Sequence, residues 1–335
     1  MVSLAECRSA VACYGFSVET LVDYYLQWVV EPFYVIVSGW NGFKKDFQYA
    51  SFASVKRGDE RYARRVMHKF RNLSDEMKDK VFFTFGERDR SKIESRVVFA
   101  SLTYDRKMNL EDTWRFVGKD FNRWITRLRK RFGKIDVVRC FESQVDGYCH
   151  IHAVLLFKET KLRGFRWDKF KNGHRIITYR VDNVEPFKVA WGGGFSDVQL
   201  CHSVKGAFRY ISKYLVKTVY ADGEEGNPVT KTLALSWFFH KRVFSVSGDI
   251  AKVYSDLIFS LNSNSNSFVP YFLLFDGSKL ECEVAKWHLY GFLKGDHVKW
   301  KKNFQLHDRS EIDRLEDEGL IDRPERFSYA SFSAA

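Results

Sequence analysis

The chain has 335 residues and 45% hydrophobic content, enough to bury a sizeable core and too apolar for a disordered chain. Its 54 Lys and Arg against 42 Asp and Glu give a formal net charge of +12, which points to a polyanionic partner, nucleic acid first. No uninterrupted apolar run approaches the roughly 20 residues of a membrane helix, no basic-then-apolar leader is present, and the six cysteines form no CxxC pair. A membrane partner, a zinc module and a disulfide scaffold therefore fall away, and a reducing cytoplasm is expected.

Residues 1–90 read as an aromatic-rich accessory region. The apolar stretch YYLQWVVEPFYVIV (24–37) is broken by Glu31 and Pro32. The region ends in a predicted helix, ERYARRVMHKFRNLSDEMKDK, where Tyr62, Val66, Phe70, Leu73 and Met77 recur at helical spacing. Residues 91–250 alternate strand-like and helix-like segments, an α+β pattern. RVVFASLTY (96–104) is β-rich and reads as a buried strand. The next segment reads as a helix with Trp114, Val117, Phe121, Trp124, Leu128 and Phe132 as its apolar stripe. Its second half carries six basic residues against one acid, and Arg123, Arg127, Lys130 and Arg131 are candidate DNA contacts.

IDVVRCFESQVDGYCHIHAVLLF follows, two strands around the turn signal Asp146-Gly147. A short strand near FSDVQLC (195–201) leads into a helix containing YISKYLVK, and SWFFHKRVFSVS (236–247) reads as a strand pair or a bent strand. WGGGFSD (191–197) reads as a turn, since it lacks the strand-to-helix fingerprint of a nucleotide loop, and no GxxxxGK[ST] occurs. From about 251 the pattern weakens. SLNSNSNS (260–267) is a polar loop, and SEIDRLEDEGLIDRP reads as a solvated packing helix. Residues 251–335 are thus a second accessory region, open to a DNA- or partner-binding role.

Two constellations carry chemistry. His150 and His152 lie two apart on a strand, so both rings point to one face, where neutral imidazoles suit a shared metal. Two histidines leave a cation under-coordinated. A three-residue loop of Asp146-Gly147-Tyr148 would set Glu142 opposite His152 and Gln144 opposite His150, supplying a third ligand from either. In YISKYLVK, Tyr210, Lys213, Tyr214 and Lys217 fall at i, i+3, i+4 and i+7 along one helical face. Ala207, Phe208, Ile211 and Leu215 form a separate apolar sector. Such a helix buries one side and still presents two phenols and two ammonium groups. The bland readings are a half-polar strand and a snorkelling helix. The two motifs together favour function.

The order LTY, HIH, YISKYLVK resembles the three motifs of rolling-circle replication initiators in the HUH endonuclease superfamily, and the doubled tyrosine is most similar to initiators of small single-stranded DNA phages. The resemblance covers residues 96 to 250. It implies a nuclease core of about five antiparallel strands flanked by helices, with His150, His152 and Glu142 (or Gln144) holding Mg²⁺ or Mn²⁺. Tyr210 or Tyr214 would attack DNA, and Lys213 and Lys217 would position metal or phosphate. Leu102-Thr103 falls in the first motif. The implied partners are single-stranded or melted origin DNA and a separate helicase and DNA polymerase. A two-tyrosine transposase is one alternative, although the cysteine-rich zinc module typical of those is missing. A non-catalytic single-stranded nucleic-acid binder is another, and an HxH metallohydrolase a third.

Overall fold

The computed structural model describes residues 3–30, 34–42, 44–53, 56–58, 62–63, 66–67, 84–85, 92–171, 173–201, 206–207, 211–212, 228–251, 284–293 and 304–322. The chain divides into two compact units, one of residues 2–27 and 57–257, the other of residues 28–56 and 258–335.

In chain order, helices α1 (Leu4–Tyr14) and α2 (Val18–Val30) precede β1 (Tyr34–Asn41) and β2 (Asp46–Ala53). Then come β3 (Thr84–Phe85), β4 (Lys92–Ser95), β5 (Val97–Tyr104), α3 (Leu110–Phe132), β6 (Ile135–Ser143) and β7 (Cys149–Phe157). They are followed by β8 (Leu162–Lys171), β9 (His174–Val181), α4 (Glu185–Trp191), β10 (Gly194–Leu200), α5 (Pro228–Phe238) and β11 (Phe244–Ser247). The last described elements are β12 (Val284–Leu293), β13 (Phe304–His307), α6 (Arg309–Asp317) and β14 (Ile321–Asp322). The fold is α+β, with antiparallel sheets flanked by helices, as the sequence predicts. No helix among the described residues is long and apolar enough to cross a membrane.

The smaller unit is a five-stranded sheet ordered β13-β2-β1-β12-β14. Ile36 and Tyr49 of the sheet pack against Ile312 and Leu315 of α6. The His307 imidazole ties this unit together: its Nε2 lies 2.6 Å from Ser51 Oγ on β2 and its Nδ1 2.8 Å from Glu311 Oε2 on α6.

The larger unit holds a nine-stranded sheet ordered β11-β6-β7-β5-β10-β9-β8-β4-β3. Its first five strands match the number the sequence led us to expect, and β9, β8, β4 and β3 extend it. Much of the extension is the β8–β9 hairpin, whose last pair is Lys171 with His174. The sequence between them is Asn-Gly, the strongest short-range hairpin signal.

Helix α3 forms where the sequence places it. The Asn109 side chain caps it, Glu111 and Asp112 sit in its first turn, and Arg129, Lys130 and Arg131 sit in its last, all favourable to the helix dipole. It packs on the face of the sheet formed by Cys149, Ile151, Ala153, Leu155 and Phe157 of β7. There Phe132 meets Phe157 at 5.6 Å between ring centroids, and Trp124 Nε1 donates to Phe187 O of α4 at 3.1 Å.

The segment 236–247 departs from expectation. Ser236–Phe238 close helix α5, and only Phe244–Ser247 is a strand. Thr230 and the run Thr232–Trp237 are buried all round this helix. A continuous apolar run carries no period that separates buried helix from buried strand. Of the helix predicted before residue 81, 62–63 and 66–67 are helical, and the remainder lies outside the described residues, as does the polar loop 260–267.

Trp114 joins the fold to the site, since its buried indole Nε1 donates at 2.8 Å to Gly147 O in the β6–β7 turn. Replacing it in Trp114→Phe strands that carbonyl. The variant should lose about 1–3 kcal/mol of unfolding free energy, read by chemical denaturation.

Candidate functional site

The β6–β7 hairpin turns through Val145-Asp146-Gly147. Gln144 N donates to Tyr148 O at 2.9 Å, and Gly147, at φ +89°, donates back to Gln144 O at 2.9 Å. The loop has the expected three residues but starts one residue earlier than predicted, because Gly147 takes the left-handed position that ends such a turn. Glu142 therefore pairs with His150, and Cys140 with His152. The slip moves the pairing by two, an even number, so Glu142 keeps the histidine face. Its carboxylate reaches diagonally to His152, with Oε2 3.0 Å from Nε2. Gln144 lies not opposite His150 but at the turn, where its Oε1 accepts from Arg106 and its Nε2 lies 3.4 Å from His150 Nδ1.

The two imidazoles point the same way, with ring centroids 4.5 Å apart. Strand β5 braces them from the other side, where Thr103 pairs with His150 and Ser101 with His152. Thr103 Oγ1 lies 2.9 Å from His150 Nδ1, and Ser101 Oγ 3.1 Å from His152 Nδ1. Phe99, next along that face, stacks on His152 at 5.6 Å. Gly194 opens β10 at φ +146°, and a Cβ there would collide with Thr103 O. The glycine-rich turn is what lets β10 lie against the bracing strand.

Burial, with His152 beside it and Arg106 nearby, pushes the His150 pKa down to about 4. His150 is thus neutral near pH 7. Arg106 also bridges to Asp146 at 2.8 Å and lies over the Tyr148 ring, tying the 105–108 turn to the hairpin. Sequence reasoning passed over Ser101 and Arg106. Alternation with Thr103 on β5 marks the first, whereas nothing local marks the second.

A cation would find two imidazole nitrogens and a carboxylate here, a mixed N/O set that suits a divalent ion. Among the described residues no group of three His, Cys, Asp or Glu is already disposed around one point, since Glu142 and His152 bond each other instead. The donors fit in kind. A proton must lie between His152 Nε2 and Glu142 for that bond to hold, and an ion would displace it. Ser101 Oγ both donates and accepts, so it can serve His152 Nδ1 in either state.

Residues 206–207 and 211–212 are helical, and Ala207 and Ile211 are buried in a cluster with Val97, Phe99, Cys140 and Val154. These four side chains stand on the histidine face of β5, β6 and β7. The segment that bears the tyrosine motif is therefore anchored to the face that carries His150 and His152. Tyr210, Lys213, Tyr214 and Lys217 themselves lie outside the described residues, as do Phe208 and Leu215.

Residues 97–219 match the family model of replication-associated proteins of the ORF2 and gene-2-protein type. That match supports a replication initiator. It spans the β5 motif, the histidine pair and the tyrosine motif. No curated protein and no solved structure matches the chain.

The basic helix is placed elsewhere. Arg123, Arg127, Lys130 and Arg131 sit on α3, behind the sheet from the histidines. Arg127 donates to Ala190 O at 2.8 Å, and Arg123 pairs with Asp120 at 3.4 Å. With α4, Arg127, Lys130 and Arg131 line a cleft of about 730 Å³.

The His150 shift is testable. Its imidazole should titrate near pH 4 rather than near 6.5 in an NMR titration. Between those values the unfolded chain binds the extra proton, so stability should fall as pH drops from about 6.5 to about 4. A His150→Gln chain should show a flatter fall.

Proposed function

We propose that the chain is a rolling-circle replication initiator of the two-tyrosine HUH type, which nicks single-stranded origin DNA and later rejoins the ends. The observation that carries this reading is the anchoring of Ala207 and Ile211 beside the histidine pair, with Tyr210 and Tyr214 interleaved among them in sequence. The endonuclease domain is assigned to residues 91–250, with 1–90 and 251–335 as accessory regions. A separate helicase and polymerase would act with it.

In the nicking step a tyrosine oxygen attacks the scissile phosphorus, and the bond from phosphorus to the 3′ oxygen breaks. The phenol gives up its proton, and the 3′ oxygen takes one up and leaves as a hydroxyl. One phosphodiester has replaced another, now a 5′-phosphotyrosine, so attack by a 3′ hydroxyl reverses the step. Mg²⁺ or Mn²⁺ held by His150, His152 and Glu142, with Gln144 as the alternative third ligand, would polarise the phosphate and steady its developing charge. Thr103 and Ser101 orient the imidazoles. Lys213, Lys217 and Arg106 supply positive charge for the phosphate, and two tyrosines allow a second cleavage while the first still holds an end. Arg123, Arg127, Lys130 and Arg131, behind the sheet, would hold DNA that passes round its edge.

Incubation with labelled single-stranded oligonucleotides of origin sequence and Mn²⁺ should yield a covalent adduct on a denaturing gel. Tyr210→Phe with Tyr214→Phe should abolish it. A non-catalytic binder gives no adduct from the unmodified chain, and a hydrolase cuts without attachment. Thr103→Val, which removes only the hydroxyl beside His150, should weaken Mn²⁺ binding by about 10–100-fold in calorimetry.

A further inference from the structure

The histidine face does not end at β5. Direct pairing carries it sideways: His150 faces Thr103 on β5, and Thr103 faces Phe195 on β10. Gln199, on the same face of β10, pairs with Arg180 on β9, and Arg180 pairs with Phe165 on β8. Trp167, two residues on, shares that face. Three aromatic rings therefore stand on the surface that holds the histidines.

These rings are exposed, with Phe195 at 67%, Trp167 at 49% and Phe165 at 38% of their full accessible area. Phe165 and Trp167 lie edge to face with centroids 6.3 Å apart, a preorganised pair. Leaving such rings in water on a paired β-ribbon costs hydrophobic stabilisation that a folded chain ordinarily gains by burying them.

The charge around them is one-sided. Between residues 162 and 181 there are six Lys or Arg and one acid, Asp168. Asp168 is already shared between Arg166 and Arg175, so it does not neutralise the ribbon. Arg180 beside Phe165 is held by Asp197, and Arg163 by Glu94 at 2.8 Å, which fixes both guanidinium groups in place. A hydrophobic protein partner would explain the rings but not this excess of positive charge. A duplex would explain the charge, yet its bases are stacked on one another and offer no free faces to isolated rings. Unpaired bases on a phosphate backbone satisfy both features.

We propose that the β8–β9 ribbon and Phe195 form a single-stranded DNA track, with bases stacking on Phe195, Phe165 and Trp167 and phosphates held by the ribbon's basic residues. The track lies on the same face as the histidine pair. Four inter-strand steps separate β7 from β8, about 20 Å, so one strand can occupy both surfaces. It deepens the proposed nicking function by naming where the strand beyond the scissile phosphate is held, and it rests on that reading for its substrate.

The test uses the full chain carrying Tyr210→Phe and Tyr214→Phe, in EDTA, so that binding is measured without cleavage. Fluorescence anisotropy compares labelled oligothymidylate with the matching duplex. Phe165→Ala with Trp167→Ala should weaken single-strand binding about tenfold or more, with the thermal transition unchanged. Trp167→Phe should restore most of the affinity. Phe170→Ala, a ring 74% exposed on the ribbon's other face, should leave binding unchanged. Unchanged single-strand affinity in the double variant overturns the track, and so does a loss confined to duplex binding. The adduct assay on the unmodified chain reports separately. An adduct without ribbon-dependent binding leaves the nicking function standing and sinks the track, whereas ribbon-dependent binding without an adduct does the reverse.

Discussion

The site depends on one registration, β5 against β7, which sets two hydroxyls opposite two imidazoles. A slip of one residue would send both histidines to the α3 face, into a packed core. With the register held, Thr103 and Ser101 meet the Nδ1 atoms and leave each Nε2 to the open face. A carboxylate in place of Ser101 could only accept, which would fix the imidazole in one protonation state. A hydroxyl turns with the proton, so the brace survives when the proton between His152 and Glu142 is exchanged for a cation. The pressure to keep His150 neutral comes from the same crowding, since burial and two neighbouring cationic or protonatable groups oppose its charge.

Those parts of this arrangement that follow from local rules were legible in the sequence. The spacing of His150 and His152 fixes a shared face, because strand period admits no other outcome. The α3 stripe is read equally well, since a long helix with caps repeats its signal many times. The hairpin pairing was off by two, because Asp146-Gly147 marks a turn without saying which of its residues opens the loop. Parity rescued the conclusion: Glu142 stayed on the face although its cross-strand neighbour changed. Helix α5 was misread as strand because burial on every side erases the period. The β8–β9 hairpin was passed over despite the Asn-Gly between its strands, since those strands mix charge and aromatics rather than alternate them. Arg106 was invisible for a different reason, since its position depends on how one turn meets another.

The sheet sorts its tasks by face. Behind it, α3 and α4 bury the apolar side chains of β7 and shield them from water. In front, the face is divided along its length. Val97, Phe99, Val154 and Leu156 are packed in the cluster that takes Ala207 and Ile211, and the polar end carries His150, His152 and Glu142. An apolar half that grips a segment next to a polar half that is left open is an economical way to hold reactive groups over a site, because the grip is non-directional and the chemistry is not. It also means that the basic stripe of α3, conspicuous in the sequence, belongs to the rear, while the charge that shares the front is on the β8–β9 ribbon.

The contrast with His307 shows what makes the β7 histidines a site. Ser51, His307 and Glu311 are connected in the order of a hydrolase triad, and the distances of 2.6 and 2.8 Å are short enough. Yet Ser51 is 1% exposed and His307 4%, so the hydroxyl has no access to a substrate. The connected groups belong to β2, β13 and α6, so the bonds act as a clasp across three elements and satisfy buried polar atoms that would otherwise destabilise the unit. Connectivity alone therefore does not mark catalysis. What separates the two clusters is surroundings: His307 closes a core, whereas His150 and His152 stand at the polar end of a face that runs on, through Phe195 and Arg180, toward exposed rings.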